Sequence, residues 1–486
     1  MSNIYDTILG EYIKNPGKKG LGLDDLAKKL FQYEMISYDS VTNKGKIDFC
    51  DIDLETRAKY SGEDVYMTSL LYKKQKEEKV PDNEVLQNIE LPLLEVIKEI
   101  ELNGVKIDKK ILEDLGVIFK DEIVKLEKAI FEEAGCEFNV KSPKQVGEIL
   151  FEKMGLASSK KTKTGFSVDA EVLEELAREN NIAKLLLEHR TFQKLQSTYI
   201  EGLIPLINQK TGKIHTNYNQ IVTSTGRLSS TNPNLQNIPS SVGIAGEIRG
   251  AFIPENDDNI LIAADYSQVE IRVLALMSGD ENLVNAFKND IDIHYNTAKL
   301  IFGKDEINKD ERRIAKSVNF GVIYGISPFG LAKMLNISQK DAKSYIEKFF
   351  ENYPKVKSFF EEVIKKTEET GYTETMFGRK RYIEGINDRN KMIKQSAERE
   401  SMNMPIQGTA ADIIKFAMIK ISKFLKENNL KSKMIMQVHD ELVFDVPKTE
   451  KEFMEKNIKE IMENIISGAI KLTVDIESGK NWKECK

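Results

Sequence analysis

An α+β fold is predicted for this chain of 486 residues, and three features of the sequence carry the prediction. Residues 259–264, Asn-Ile-Leu-Ile-Ala-Ala, form a short apolar run of buried-strand type that ends on Asp265, with a helix-like stretch from Val269 to Ala275 close behind. Far downstream, residues 434–438 and 442–446 read as a hairpin whose turn is His439-Asp440-Glu441. Long helical patterns lie between these segments in no regular alternation with the strands, which argues against a doubly wound sheet.

The elements follow in order. Residues 1–86 read as a short, mostly helical piece. It ends in the charged run Lys73 to Lys79 and then Pro81-Asp82-Asn83, a linker pattern because such a run offers no face to bury. From Lys109 a helix is expected, with Ile111, Leu115, Ile118, Phe119, Leu126 and Ile130 at three- and four-residue steps, Asp108 as N-cap and Gly135 as stop. Beyond it come the turn Ser142-Pro143-Lys144 and a polar loop containing Lys160, Lys161 and Lys163. That loop suits plain solvent exposure or contact with a polyanion.

Composition bounds the function. With 41% hydrophobic and 30% charged residues the chain can bury several domain cores. Three cysteines without paired spacing argue against a disulfide framework and a thiolate zinc site. No apolar run approaches the ~18 residues of a membrane span, and the N-terminus lacks a signal pattern, so a soluble protein with no membrane partner is expected. A net charge of -6 argues against a wholly basic nucleic-acid binder but leaves room for a local basic groove. Arg supplies only 12 of the 71 basic residues, and nine of the 12 lie between Arg227 and Arg399. Arg is the rigid bidentate donor for phosphate or carboxylate, so the clustering marks that stretch. Between residues 376 and 394, six basic residues face two acids.

Two carboxylates, Asp265 and Asp440, stand at the ends of apolar strand-like runs, where an unpaired charge is costly. If the strand ends are neighbours, the pair suits hard, oxygen-preferring Mg²⁺ ions, and two such ions can drive an in-line phosphoryl displacement. Capping of the adjacent helix or turn is the simpler alternative for each. Arg312, Lys316, Phe320 and Tyr324 recur every four positions and so share one stripe of a helix. Two cations followed by two rings suit a nucleoside triphosphate, with phosphates on the cations and base against Phe320. A basic solvent face with core aromatics is the competing reading.

These residues resemble the three polymerase motifs of the family A, DNA polymerase I-like enzymes, in the expected order: Asp265 to Arg272, the Arg312 to Gly325 helix, and Gln437 to Glu441. Further matches are Ser224 to Ser230, Asn234 to Pro239, Glu398-Arg399, and Asn403 to Asp412, and the resemblance runs from about residue 88 to the C-terminus.

The resemblance implies a right-hand polymerase at 87–486, with thumb at about 100–203, palm at about 204–285 and 403–486, and fingers at about 286–402. It implies Asp265, Asp440 and the Tyr266 carbonyl as ligands for two Mg²⁺ ions, for which Mn²⁺ can substitute. Arg312, Lys316, His294 and Gln268 would lie at the nucleotide, with Lys316 as proton donor to the departing pyrophosphate. Glu270 would crowd the sugar 2′ position, Phe320 would disfavour dideoxynucleotides, and Tyr324 would sit near the templating base. Arg227, Arg399, Asn403, Gln407 and His439 would meet the primer-template, Arg227 and Gln407 at the minor-groove edge. Lys160, Lys161 and Lys163 become expected backbone contacts.

The implied activity is DNA-templated DNA synthesis from dNTPs on primer-template DNA, by a monomer in the cytoplasm of a bacterium, a phage system or similar. Residues 4–80 resemble the last stretch of the family's 3′–5′ exonuclease domain, with Tyr60 to Asp64 as its third motif. The two earlier motifs would lie before residue 1, so no proofreading is expected. A single-subunit RNA polymerase relative and a catalytically defunct DNA-binding protein are the alternatives; Glu270 with Phe320 opposes the first, and the intact acids and stripe oppose the second.

Overall fold

The computed structural model describes residues 4–157, 165–240 and 243–485, together with the backbone of Lys161–Thr162. Mixed helices and strands are found, and the chain divides into two compact units. The first comprises Met1–Asn103, Asn217–Thr231 and Ala263–Ile476. The second comprises Gly104–Thr216, Asn232–Ile262 and Glu477–Lys486.

A four-stranded sheet runs in the order Lys433–Val438, Glu441–Pro447, Asn259–Tyr266, Val474–Gly479, and its first two strands lie wholly in the first unit. The expected hairpin is present, with Val438 paired to Glu441. Its turn is therefore His439-Asp440 alone, and Glu441 belongs to the strand. His439 takes the left-handed φ of 56° that so short a turn demands. The strand Asn259–Tyr266 is buried over residues 261–264, as its unbroken apolar run requires.

The charged run at 73–79 is not a linker. The helix Leu54–Glu77 carries on into it as far as Glu77, because Leu71 and Gln75 turn inward while the lysines and glutamates flank them. Residues up to Asn103 thus stay within the first unit.

The second unit carries the helix Lys109–Ala134, capped by Asp108 and stopped by Gly135 at φ 65°, as expected. It packs on Asn181–Lys194 over a core that includes Ile130, Leu150, Leu173 and Leu186. A three-stranded sheet, Lys213–Ile214, Val105–Ile107 and Phe252–Ile253, completes the unit. Among the described residues, no helix is long and apolar enough to cross a membrane.

Candidate active site

Asp265 and Asp440 end their strands side by side: the Tyr266 amide donates to the Asp440 carbonyl at 3.2 Å. Both acids are half-buried, and His439 beside them is exposed. The Tyr266 side chain points the other way, buried, with its hydroxyl donating to the Met462 carbonyl at 2.8 Å. Burial pushes that phenol well up, so it stays neutral and its role is packing. Gln268 follows with φ 53° at the N-cap of the helix Val269–Ser278, and its Oε1 is a buried acceptor that receives no hydrogen bond from the described residues.

In the first turn of that helix, Glu270 is 5% exposed. The Arg227 guanidinium donates to its Oε1 at 2.6 Å and the Tyr324 hydroxyl to its Oε2 at 2.7 Å. A buried carboxylate needs such partners. Burial and the Glu270 charge raise the Tyr324 phenol, which keeps it a donor. Arg227 and Tyr324, singled out separately in the sequence, therefore meet on a third such residue, Glu270.

The helix Lys309–Ile323 begins with a capping box, Asn308 with Glu311, and buries Ala315, Val318, Val322 and Ile323. The opposite face leaves Arg312 and Lys316 exposed and Phe320 half-buried, while Tyr324 is the C-cap rather than the last helical residue. Arg312 Nε donates to Asp292 Oδ2 at 2.7 Å. Asp292 is also the N-cap of Ile293–Phe302, its Oδ1 accepting from the His294 and Tyr295 amides. Burial opposes the Asp292 charge, but Arg312 and the two amides outweigh it and lower its carboxyl.

His294 is 3% exposed and lies 5.8 Å, ring to ring, from Phe320. Burial pushes its imidazole down to about 4 against the pull of Asp292, with Arg312 and Lys316 adding to the drop. The Asn319 amide stands 2.8 Å from Nδ1 as donor, so the neutral ring carries its proton on Nε2.

Arg399, Asn403 and Gln407 stand four residues apart on the 37-residue helix Lys391–Glu427. Arg399 is exposed, the other two are half-buried, and the Asn403 Oδ1 is a buried acceptor without a donor among the described residues. Pro405 lies inside this helix and cannot donate to the Ser401 carbonyl; the Thr373 hydroxyl does so instead at 3.2 Å.

The basic segment 376–394 is less available than its composition suggests. Arg381 pairs with Glu400, and Lys394 with Glu368 at 2.7 Å. Arg379 is fully buried: it donates from Nε to Asp412 at 2.8 Å and also binds Glu90. Lys415 Nζ donates to the same Glu90 oxygen at 2.7 Å. Two acids and two bases thus form a balanced network with no side-chain exposure. Burial opposes the Glu90 charge, yet Lys415 and Arg379 hold its carboxyl down at about 2.

Lys160 and Lys163 lie outside the described residues, as does the Lys161 side chain; the Lys161–Thr162 backbone pairs with Gly165–Phe166. The Ser142-Pro143-Lys144 turn lines a groove of about 1160 Å³ in the second unit, shared with Lys141, Arg190 and Lys194. Asp292, Asn319 and Glu90 were not singled out by the sequence, and Arg379 entered it only as one of the six basic residues of the 376–394 segment. Asp292 had a readable signal, an N-cap acid just before a helix; a buried ion pair between distant segments has none.

The chain belongs to DNA polymerase family A, whose family model matches residues 109–484. A 3′–5′ exonuclease model matches residues 1–78. DNA polymerase I of Bacillus subtilis (strain 168) is 43% identical over 486 residues, covering 99% of this chain and 55% of that protein. DNA polymerase I of Lactococcus lactis subsp. cremoris (strain MG1363) is 48% identical over 405 residues, 83% of this chain and 46% of that one. The chain spans about half the length of the curated relatives it matches. A solved structure, the POL domain of Pol1 from M. smegmatis in complex with DNA primer-template and dNTP, matches with TM-score 0.87 and 34% identity over 99% of this chain and 82% of that one.

Proposed function

We propose that this chain is a DNA-templated DNA polymerase that extends a primer 3′-OH with dNTPs and releases pyrophosphate. The observation that carries the reading is the Tyr266-to-Asp440 backbone bond, which brings two strand-end carboxylates together in the same unit as the Arg312–Lys316–Phe320 face. Family membership and the likeness to a polymerase solved with primer-template and dNTP support it.

The donor set fits magnesium: Asp265, Asp440 and the Tyr266 carbonyl offer hard oxygen atoms, with no thiol or imidazole among them. A pair of ions bound there would supply charge neutralisation and Lewis acidity for phosphoryl displacement. The chain's own groups do the rest. Arg312 and Lys316 attract the triphosphate, and Lys316 holds the proton for the leaving pyrophosphate. His294, neutral with its proton on Nε2, donates to a phosphate without adding charge. Phe320 faces the base and sugar, Glu270 excludes a 2′-OH, and Gln268 and Tyr324 border the pocket.

Arg227, Arg399, Asn403, Gln407 and His439 contact the primer-template, with Lys160, Lys161 and Lys163 on its backbone. The thumb, palm and fingers boundaries implied by the resemblance belong to this reading, as do a monomeric state and a cytoplasmic location. So does the absence of proofreading by residues 1–486, since only the Tyr60 to Asp64 motif of an exonuclease site is recognisable in them.

Primer extension by Asp440→Asn and Asp265→Asn tests the assignment. Each should lower the rate by roughly 10³-fold with the fold intact, and wild-type synthesis by either variant would sink it.

A further inference from the structure

Tyr12 lies on the helix Thr7–Lys14, within the stretch that the exonuclease model matches, and its side chain is wholly buried. The helix is held from behind by Gln75, also buried, whose amide donates to the Thr7 carbonyl at 3.0 Å. Gln75 Oε1 accepts from the Tyr5 hydroxyl at 2.9 Å. The packing there is close: a Cβ on Gly10 would stand 2.4 Å from the Tyr5 oxygen and 2.7 Å from Gln75 Oε1.

On its other side the Tyr12 hydroxyl donates to the Thr223 carbonyl at 2.8 Å. Thr223 in turn donates through its own hydroxyl to the Arg227 carbonyl at 2.6 Å, closing the loop 223–227 on itself. Arg227 then reaches Glu270 at 2.6 Å. Two glycines let the supports approach. A Cβ on Gly17 (φ 84°) would lie 2.6 Å from the Ser224 Cβ, and one on Gly226 (φ 85°) 2.7 Å from the Arg379 Nε. The loop thus rests on the first helix on one side and on the buried Arg379 on another.

We infer that Tyr12 is a positioning residue for Arg227: the exonuclease-like first helix braces the 223–227 loop, and the brace fixes where the Arg227 guanidinium sits. The inference rests on reading Arg227 as a primer-template contact. A long Arg side chain on a loop loses much rotamer freedom when it is fixed, so its backbone must be anchored for the geometry to persist. Removing the Tyr12 hydroxyl leaves the Thr223 carbonyl without this donor and releases one end of the relay.

Tyr12→Phe keeps the ring and deletes only the hydroxyl. Amide hydrogen exchange at 223–228 should speed up about three- to tenfold, and kcat/KM for primer extension should fall by a similar factor. The Tyr12→Phe/Arg227→Ala double variant should extend no more slowly than Arg227→Ala alone, because both changes remove one interaction. Unchanged exchange in the loop overturns the inference. Losses that multiply in the double variant overturn it too, leaving Tyr12 a packing residue. If Arg227→Ala extends normally while Tyr12→Phe does not, the positioning role is wrong and so is the reading of Arg227. If the wild-type chain extends no primer, the polymerase reading fails, and loop exchange alone then decides whether the helix braces the loop.

Discussion

Tyr324 and Glu270, separated by 54 residues in sequence, are joined by a 2.7 Å hydrogen bond in which a phenol at the end of one helix donates to a carboxylate in the first turn of another. With Arg227 on its second oxygen, Glu270 has little freedom to turn away from the pocket it borders.

If the fixed carboxylate excludes a 2′-hydroxyl, Glu270→Ala should raise the ratio of kcat/KM for ribonucleotides over deoxynucleotides by about 10- to 200-fold, the range expected when a pocket loses one steric contact. Competition assays with matched rNTP and dNTP measure it, and an unchanged ratio rules out the sugar gate.

His294 gives a pH signature. Its pKa of about 4 lies below the ~6.5 of an unfolded histidine, so the unfolded chain binds the extra proton in that window. The stability linked to its neutral form is complete above about pH 6.5 and is lost as pH falls toward 4. Denaturation of wild type and His294→Gln at pH 7, 5.5 and 4.5 should show the wild type losing more on acidification. Parallel losses would mean that the ring is not held neutral by Asn319 and its surroundings.

Glu90→Ala should cost about 3–5 kcal/mol, because it takes the carboxylate from buried Lys415 and leaves Asp412 as the one acid facing two buried bases. Urea unfolding measures the loss. The depressed Glu90 carboxyl adds a second expectation: its contribution, present above about pH 4.5, fades as pH drops toward 2.

Primer-template affinity should fall steeply with salt despite the net charge of -6. A log–log slope of about −4 or steeper is expected for several phosphate contacts, and a flat response in a binding titration would remove the basic surface from the account.

Much of this site was legible because its chemistry sits where local pattern is strong. The hairpin and the strand before Asp265 were readable from apolar runs, and the Arg312 face from its four-residue step. The links between them were not. Glu90 lies 289 residues from Arg379 and 325 from Lys415, so each reads as a solvated charge until the fold closes. Composition misled twice for the same reason. Gln75 hides a buried face inside a lysine-rich run, and Arg379 turns a basic-looking segment inward.

The 37-residue helix Lys391–Glu427 carries Arg399, Asn403 and Gln407 on one stretch and the buried Asp412 and Lys415 on the next. One added residue between Gln407 and Asp412 would turn the outer stretch about 100° relative to the inner one and lengthen the rod by about 1.5 Å. The helix therefore works as a ruler: a substitution along it changes one side chain's contacts, whereas an insertion or deletion there would misalign three side chains at once.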